Sequence, residues 1–224
     1  MKKKRIVVKI GTSLITTRNG RINFNRMRDI VGQISALAKT GYEMALVSSG
    51  AIAAGSERLN LDCRPQEIPK LQASAAVGQG LLFKKYASLF LKEELTIGQI
   101  LLTQFDTTHR QQYLNARNTL NELIKMNIVP LINENDTTAV DEICFGDNDT
   151  LAALVTVLVE ADLLIILSDI SGLHTADPRK HKEAKLIKTV DEISPEIEAM
   201  AEGIGSHFGS GGMVTKINAA RIVT

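Results

Sequence analysis

Short apolar runs alternate with longer amphipathic segments along this chain, and that alternation limits the folds open to it. Apolar runs of roughly four to eight residues are typical of buried strands, whereas apolar residues spaced three and four apart indicate helices. Such runs predict strands at residues 6–10, 44–50, 96–102, 128–133 and 162–169. Helical spacing predicts helices at residues 24–41, 71–94, 113–126 and 149–160. This order predicts an α/β protein, a three-layer αβα sandwich with a mostly parallel central sheet.

Polar loops follow four of the five predicted strands. They read "KIGTS" from Lys9, "SSGAIAAG" at residues 48–55, "NENDTT" at 133–138 and "SD" at 168–169. Each loop alone is explained by a tight turn, because Gly, Ser, Asn and Asp are common turn residues. In open parallel sheets, however, ligands bind beyond the carboxyl ends of the strands. Several such loops at one edge therefore favour a ligand site.

The glycines and lysines of these loops suggest that the ligand carries phosphate. Glycine-rich loops let backbone N–H groups approach phosphate oxygens, and three of them predict a polyphosphate or several anions. Lys9 interrupts a buried strand, and Lys216 follows the glycine loop "GSGGMVTK". Both are expected to face phosphate. The alternatives are that Lys9 pairs with a structural carboxylate at the strand end and that Lys216 is a solvated helix residue. The sequence has neither a Walker P-loop nor a Rossmann glycine motif.

Acidic residues stand among amides in two loops, the one after the fourth predicted strand and one that opens a helix. "NEND" contains Asp136, and "GDND" contains Asp147 and Asp149. Such carboxylates can orient lysines, hold Mg²⁺ through water or bind a substrate ammonium. The alternative for "GDND" is a helix N-cap formed by Asn148 or Asp149.

Composition excludes several classes of protein. A net charge of +1 argues against a chain that works mainly on nucleic-acid backbones. Cys63 and Cys144 are too few for a disulfide framework, so a reducing cytoplasm is expected. The most apolar stretch, residues 151–167, contains Glu160 and Asp162, and no membrane span is predicted. The four histidines show no metal-ligand spacing. We therefore expect a cytoplasmic protein without a membrane or nucleic-acid partner and without a protein-built metal site.

With these loops in view, the sequence resembles the amino acid kinase family over essentially its whole length. The resemblance rests on segments that follow the family's order: "VVKIGTS", "VSSGAIAAG", "AAVGQ", "YLNARNTL", "IVPLINENDT", "FGDNDTLAALV", "LSDISGLHTADPR" and "GSGGMVTK". It implies one αβα domain that binds ATP and an amino acid side by side over the sheet. "INENDT" together with "GDND" resembles the members that phosphorylate the γ-carboxylate of L-glutamate at the first step of proline synthesis.

The resemblance also implies roles for individual residues. Lys9 and Lys216 would stabilise the transferred phosphoryl group, and Asp149 would hold both lysines. The residues implied on the substrate side are Ser49, Gly50, Ala51, Asn133, Asp136, Asp147 and Asn148. The residues implied on the ATP side are Lys9, Gly11, Thr12, Ser168, Asp169, Ser210, Gly211, Gly212, Met213, Val214, Thr215 and Lys216.

Further expectations follow from the family. ATP would be the co-substrate with Mg²⁺, proline a feedback inhibitor, glutamyl phosphate reductase a functional partner, and the protein a homodimer or homotetramer. The kinase domain, residues 1–224, is expected to continue beyond this sequence, which carries no PUA domain. The alternatives are N-acetylglutamate kinase, aspartokinase, carbamate kinase or uridylate kinase, a catalytically silent ligand-binding module, or an inactive fragment.

Overall fold

A five-stranded parallel sheet forms the centre of the protein. The computed structural model describes residues 3–17, 19–139, 148–202 and 212–224. The strands are β1 (Arg5–Ile10), β2 (Glu43–Ser48), β3 (Ile97–Leu102), β4 (Val129–Glu134) and β5 (Leu163–Leu167). They lie in the order β3-β4-β2-β1-β5, and all neighbouring strands are parallel. The five predicted strands are therefore confirmed, with ends that differ by one or two residues.

Helices cover both faces of this sheet. They are α1 (Thr12–Ile15), α2 (Phe24–Lys39), α3 (Ala51–Arg58), α4 (Ile68–Lys92), α5 (Gln104–Thr108), α6 (Arg110–Lys125), α7 (Asn148–Leu158), α8 (Pro195–Glu202) and α9 (Met213–Val223). The predicted end of α2 is confirmed, because Gly41 adopts a φ of +99° in the left-handed region. Within the described parts of the chain, no helix is long and apolar enough to cross a lipid bilayer.

The alternation of side chains along β1 separates the two cores. Val8 and Ile10 pack on one face with apolar residues of α2 and α4. Val7 faces the opposite way and packs with residues of α6 and α7. Successive strand residues point to opposite faces of a sheet, so a strand covered on both sides is apolar at nearly every position. The predicted αβα sandwich is confirmed.

A close contact between α3 and α4 changes the interpretation of one glycine loop. The segment from Ala51 to Arg58 is helical, whereas the sequence indicated a loop up to Gly55. A Cβ on Gly55 would lie 1.7 Å from the carbonyl oxygen of Ser74, and one on Gly78 would lie 1.8 Å from that of Ala51. Gly55 therefore allows two helices to touch through their backbones, and phosphate binding is not needed to explain it.

Candidate active site

A cleft of about 1360 Å³ lies at the carboxyl edge of the sheet. The loops after β1, β2, β4 and β5 all line it, as expected from the polar strand ends. The cleft brings together most of the residues that the sequence predicts: Lys9, Gly11, Thr12, Ser49, Gly50, Ala51, Asn133, Asp136, Asn148, Ser168, Asp169 and Lys216. Three predicted site residues, Asp147, Ser210 and Gly211, lie outside the described residues.

Two lysines converge on one buried carboxylate at the cleft. Asp149 stands in the first turn of α7, and its side chain is 0% exposed. Its Oδ1 lies 2.7 Å from Nζ of Lys9, and its Oδ2 lies 3.0 Å from Nζ of Lys216. Thr215 donates its hydroxyl hydrogen to the same Oδ2 at 2.8 Å. The carboxylate is thus used to hold two ammonium groups and a hydroxyl.

The charge balance of this cluster favours an anionic ligand. One lysine and one aspartate would be sufficient for a structural ion pair, and Lys9 does make such a pair. Lys216 adds a second ammonium to the same carboxylate, and its side chain is only 20% exposed, so it is not a solvated helix residue. Lys9, Lys216 and Asp149 thus place two positive charges and one negative charge where water has largely been excluded. Because a buried charge is costly unless it is paired, this site is suited to a negatively charged group.

Local folding explains why these three side chains meet. Lys9 shares the face of β1 on which Val7 packs against α7. The carboxylate of Asp149 occupies the N-terminal turn of α7, where the helix dipole stabilises negative charge. Helix α9, which carries Lys216, packs against α7. The side chain of Asp149 is therefore directed at the two lysines.

A second cluster of amides and hydroxyls lines the cleft beside this charged group. Nδ2 of Asn148 donates to Oγ of Ser49 at 2.8 Å, to the carbonyl oxygen of Ser48 at 3.1 Å and to Oδ1 of Asn133 at 2.9 Å. Three of the predicted substrate residues are thus joined directly: Ser49 after β2, Asn133 in β4 and Asn148 in α7. Gly50, which precedes α3, adopts a φ of +104°, a conformation that favours glycine.

Asp136 is an acid with an unusual environment in this cleft. Burial raises the pKa of the Asp136 carboxyl to about 6, although the positive charge of Arg64 acts in the opposite direction. Desolvation disfavours the charged form of a carboxyl group, and a nearby cation favours it. A bound cation that replaced the lost water would lower this pKa again. Asp136 is therefore a suitable partner for a ligand ammonium.

The glycine loop before Lys216 contributes less to the cleft than expected. Of its described residues, Lys216 lines the cleft, whereas Gly212, Met213, Val214 and Thr215 do not. Met213 is 4% exposed and packs in an apolar cluster with Leu173 and Ile217. Thr215 binds Asp149, so its side chain supports the lysine cluster.

Arg179 is a cleft residue that the sequence analysis missed. Its guanidinium donates to both carboxylate oxygens of Asp177, at 3.0 and 3.1 Å, and it lines the cleft near Ser168 and Asp169. Hydrogen bonds from Arg179 lower the pKa of Asp177, and Asp177 raises the pKa of Arg179. The signal was present in "ADPR", where an acid and an arginine are two residues apart.

The described residues show no metal site built from protein side chains. Within residues 3–17, 19–139, 148–202 and 212–224, no group of three or more His, Cys, Asp or Glu residues is arranged to hold a metal ion.

Comparison with known proteins shows the family of this chain. The chain belongs to the amino acid kinase family, whose family model matches residues 4–224. Among curated relatives, it is 54% identical over 218 residues to the glutamate 5-kinase of Nitrosospira multiformis, which covers 97% of this chain and 59% of that protein. It is 50% identical over 220 residues to glutamate 5-kinase 2 of Bacillus subtilis, which covers 98% of this chain and 59% of that protein.

A larger share of a third relative is covered by this chain. The glutamate 5-kinase of Clostridium acetobutylicum is 49% identical over 220 residues, which covers 98% of this chain and 82% of that protein. The chain thus spans 59% of the length of the first two relatives and most of the third.

Proposed function

We propose that this protein transfers the γ-phosphoryl group of ATP to the γ-carboxylate of L-glutamate. The products would be L-glutamyl 5-phosphate and ADP, and the reaction would begin proline synthesis from glutamate. The observation that carries this proposal is the pair of lysines held by Asp149 beside the amide cluster of Ser49, Asn133 and Asn148. A site for phosphoryl charge thus adjoins a polar site for a small substrate, and the curated relatives named above are glutamate 5-kinases.

The chemistry needs charge stabilisation more than it needs a base. A glutamate side chain has a pKa of about 4.3, so the attacking carboxylate is already ionised near neutral pH. A carboxylate oxygen forms a bond to the γ-phosphorus while the bond to the β,γ-bridging oxygen breaks, and ADP departs with the electron pair. Negative charge is spread over the phosphoryl oxygens during this transfer. Lys9 and Lys216 would stabilise that charge from positions that Asp149 has already fixed.

The two substrates would occupy neighbouring parts of the cleft. ATP would lie along Gly11, Thr12, Ser168 and Asp169 and the loop from Ser210 to Lys216. Glutamate would bind on the other side, and the residues proposed to contact it are Ser49, Gly50, Ala51, Asn133, Asp136, Asp147 and Asn148. Asp136 would bind the α-ammonium, and an N-acylated amino acid would bring no ammonium to this partly buried acid. The site would thereby favour glutamate over N-acetylglutamate.

Mg²⁺ would accompany ATP into this cleft. Magnesium keeps several waters and takes few protein ligands when phosphates are available. The cleft-lining carboxylate of Asp169 supports this mode. Asp169 would hold the ion through water, and the ion would neutralise charge on the phosphates.

The product suggests further partners. An acyl phosphate is a reactive mixed anhydride, so a reductase for glutamyl phosphate would consume it promptly. Proline, like glutamate, carries an ammonium and an α-carboxylate, and it would compete for Asp136 as a feedback inhibitor. We further propose a cytoplasmic homodimer or homotetramer, by analogy with the family.

The assay that tests this function traps the product with hydroxylamine. The protein is incubated with ATP, Mg²⁺ and glutamate, aspartate or N-acetylglutamate, and the hydroxamate is measured. We expect hydroxamate from glutamate and little from the other two acceptors. Hydroxamate from aspartate or N-acetylglutamate without any from glutamate would identify another amino acid kinase. ATP binding without hydroxamate from any acceptor would identify a silent binding module.

A further inference from the structure

A glutamine on α4 extends the amide cluster away from the cleft. Nδ2 of Asn133 donates to Oε1 of Gln79 at 2.7 Å. Asn133 is itself 3% exposed, and its Oδ1 accepts from Asn148 at 2.9 Å. Gln79 thus lies at the end of a hydrogen-bonded chain that runs through Asn133 and Asn148 to the loop after β2.

The backbone sets the direction of every amide in this chain. The carbonyl oxygen of Ser48 can only accept, so Asn148 must turn Nδ2 towards it. The same Nδ2 faces Asn133, which must therefore present Oδ1 there and carry its own Nδ2 on the opposite side. Gln79 must then offer an acceptor, as its Oε1 does. Reversal of any amide in this chain would bring two donors or two acceptors together.

This arrangement holds the Asn148 side chain beside the cleft. Nδ2 of Asn148 has two hydrogens and three acceptors around it: Ser48, Ser49 and Asn133. Ser49 can accept from Asn148 and still donate its own hydroxyl hydrogen to a molecule in the cleft. If Asn133 turned its amide round, its Nδ2 would face Nδ2 of Asn148, and Asn148 would lose one of the acceptors that hold it beside Ser49.

Helix α4 makes a second contact with the chain near the end of β4. Nε2 of Gln72 donates to the carbonyl oxygen of Ala139 at 3.1 Å. Gln72 and Gln79 are about two helical turns apart, so they lie on one face of α4. Gln79 contacts Asn133 and Gln72 contacts Ala139, and Asp136 lies between these two residues. One helix face therefore supports both the amide cluster and the acid proposed to bind the substrate ammonium.

We propose that Gln79 is a positioning residue for the amino-acid side of this cleft, which orients Asn133 and, through it, the Asn148 amide beside Ser49. The inference rests on the proposed function, because it assigns the supported hydroxyl and amides to glutamate. Gln79 makes its contribution through Asn133, and the ATP side of the cleft does not depend on it.

Two variants of similar size separate this role from general packing. Gln79→Met keeps the length of the side chain and removes the acceptor, whereas Gln79→Glu keeps the acceptor oxygens. We expect Gln79→Met to raise the KM for glutamate on the order of tenfold, as the loss of a buried hydrogen-bond partner would. The KM for ATP should remain unchanged, and Gln79→Glu should stay close to the wild type in both constants.

A second measurement needs no substrate. In unliganded protein labelled with ¹⁵N-asparagine, the side-chain amide resonances of Asn133 and Asn148 should shift in Gln79→Met and be retained in Gln79→Glu. Unshifted resonances in Gln79→Met, equal impairment of both variants, or a parallel rise in the KM for ATP would overturn the positioning role. Absence of glutamate phosphorylation in the wild type would instead overturn the proposed function, and the spectra would still decide whether Gln79 orients Asn133.

Discussion

The carboxylate of Asp149 lies 2.7 Å from the ammonium of Lys9, and the two side chains are 0% and 5% exposed. This pair joins the first strand of the sheet to the start of α7. Lys216 binds the other oxygen of the same carboxylate, so Asp149 is the common support of two cations. Removal of its charge would leave both lysines close together without their counter-ion.

The first prediction concerns Asp149→Asn, which preserves shape and removes the charge. Breaking a buried ion pair from one side typically costs about 3–5 kcal/mol, because the remaining charge is left without compensation. We expect a marked loss of thermal stability, partly restored by ATP, whose phosphates would bind the two lysines. Thermal unfolding with and without ATP measures this effect.

A surface pair provides the control for that experiment. Glu122 and Lys125 form an ion pair on α6 in which both side chains are more than half exposed. Exposed pairs contribute little to stability, so Glu122→Gln should leave the melting temperature nearly unchanged. Equal melting temperatures for Asp149→Asn and Glu122→Gln would contradict the proposed role of Asp149.

The second prediction concerns Lys216, the less buried of the two lysines. Lys216→Met should lower kcat by on the order of a hundredfold, because a preorganised charge at the transferred group would be lost. The KM for glutamate should change little, since glutamate would bind on the other side of the cleft. Steady-state kinetics with Lys39→Met as the surface control measure this effect. A normal kcat in Lys216→Met would remove this lysine from the transfer step.

The third prediction follows from the raised pKa of Asp136. In the folded protein this pKa is about 6, above the value of 3.8 for an unperturbed aspartate. The fold therefore binds the proton more tightly than the unfolded chain does. The stability that this provides is fully present below about pH 4 and is lost as the pH rises through 6. At neutral pH, ionised Asp136 would thus destabilise the unliganded protein by up to about 3 kcal/mol.

Asp136→Asn should therefore stabilise the unliganded protein and weaken glutamate binding. We expect a higher melting temperature than the wild type at pH 7.5, a much smaller difference at pH 4.5, and a strongly raised KM for glutamate. The exposed residue Asp29 provides the control, because Asp29→Asn should change neither quantity. If Asp136→Asn bound glutamate normally, Asp136 could not be the partner of the substrate ammonium.

The fourth prediction compares two helical glycines. A Cβ on Gly55 would collide with the backbone of Ser74, whereas one on Gly80 would meet nothing within 4 Å. Gly55→Ala should therefore separate α3 from α4 and destabilise the protein by several kcal/mol. Gly80→Ala should stabilise it by about 0.5–1 kcal/mol, because alanine is the better helix former. Urea unfolding measures both changes, and a stabilised Gly55→Ala would contradict the close contact between these helices.

Local patterns in the sequence were sufficient to predict the sheet and the edge at which the site lies. Apolar runs indicated the strands, since a strand buried on both faces is apolar at nearly every position. The glycine, serine and asparagine residues at the strand ends indicated where the cleft lies. The interior lysine at position 9 was the strongest single signal, because an ammonium in such a strand requires a partner.

Contacts between distant elements could not be predicted in the same way. The Asp149 pairs with Lys9 and Lys216 were expected only through the family resemblance, because periodicity describes one element and not the side chain opposite it. Gln79 entered only as the last residue of the segment "AAVGQ" and was given no role, since a single glutamine in an amphipathic helix is ordinary. The helical state of residues 51–58 was missed because its glycine has a tertiary cause, the contact between α3 and α4.

The most direct test of this account compares the wild type with Lys9→Met in the hydroxylamine assay with ATP, Mg²⁺ and glutamate. We predict that the wild type forms glutamyl hydroxamate and that Lys9→Met forms it on the order of a hundredfold more slowly while still binding ATP. Formation of hydroxamate by Lys9→Met at the wild-type rate would contradict the assignment of the buried lysine to the transferred phosphoryl group.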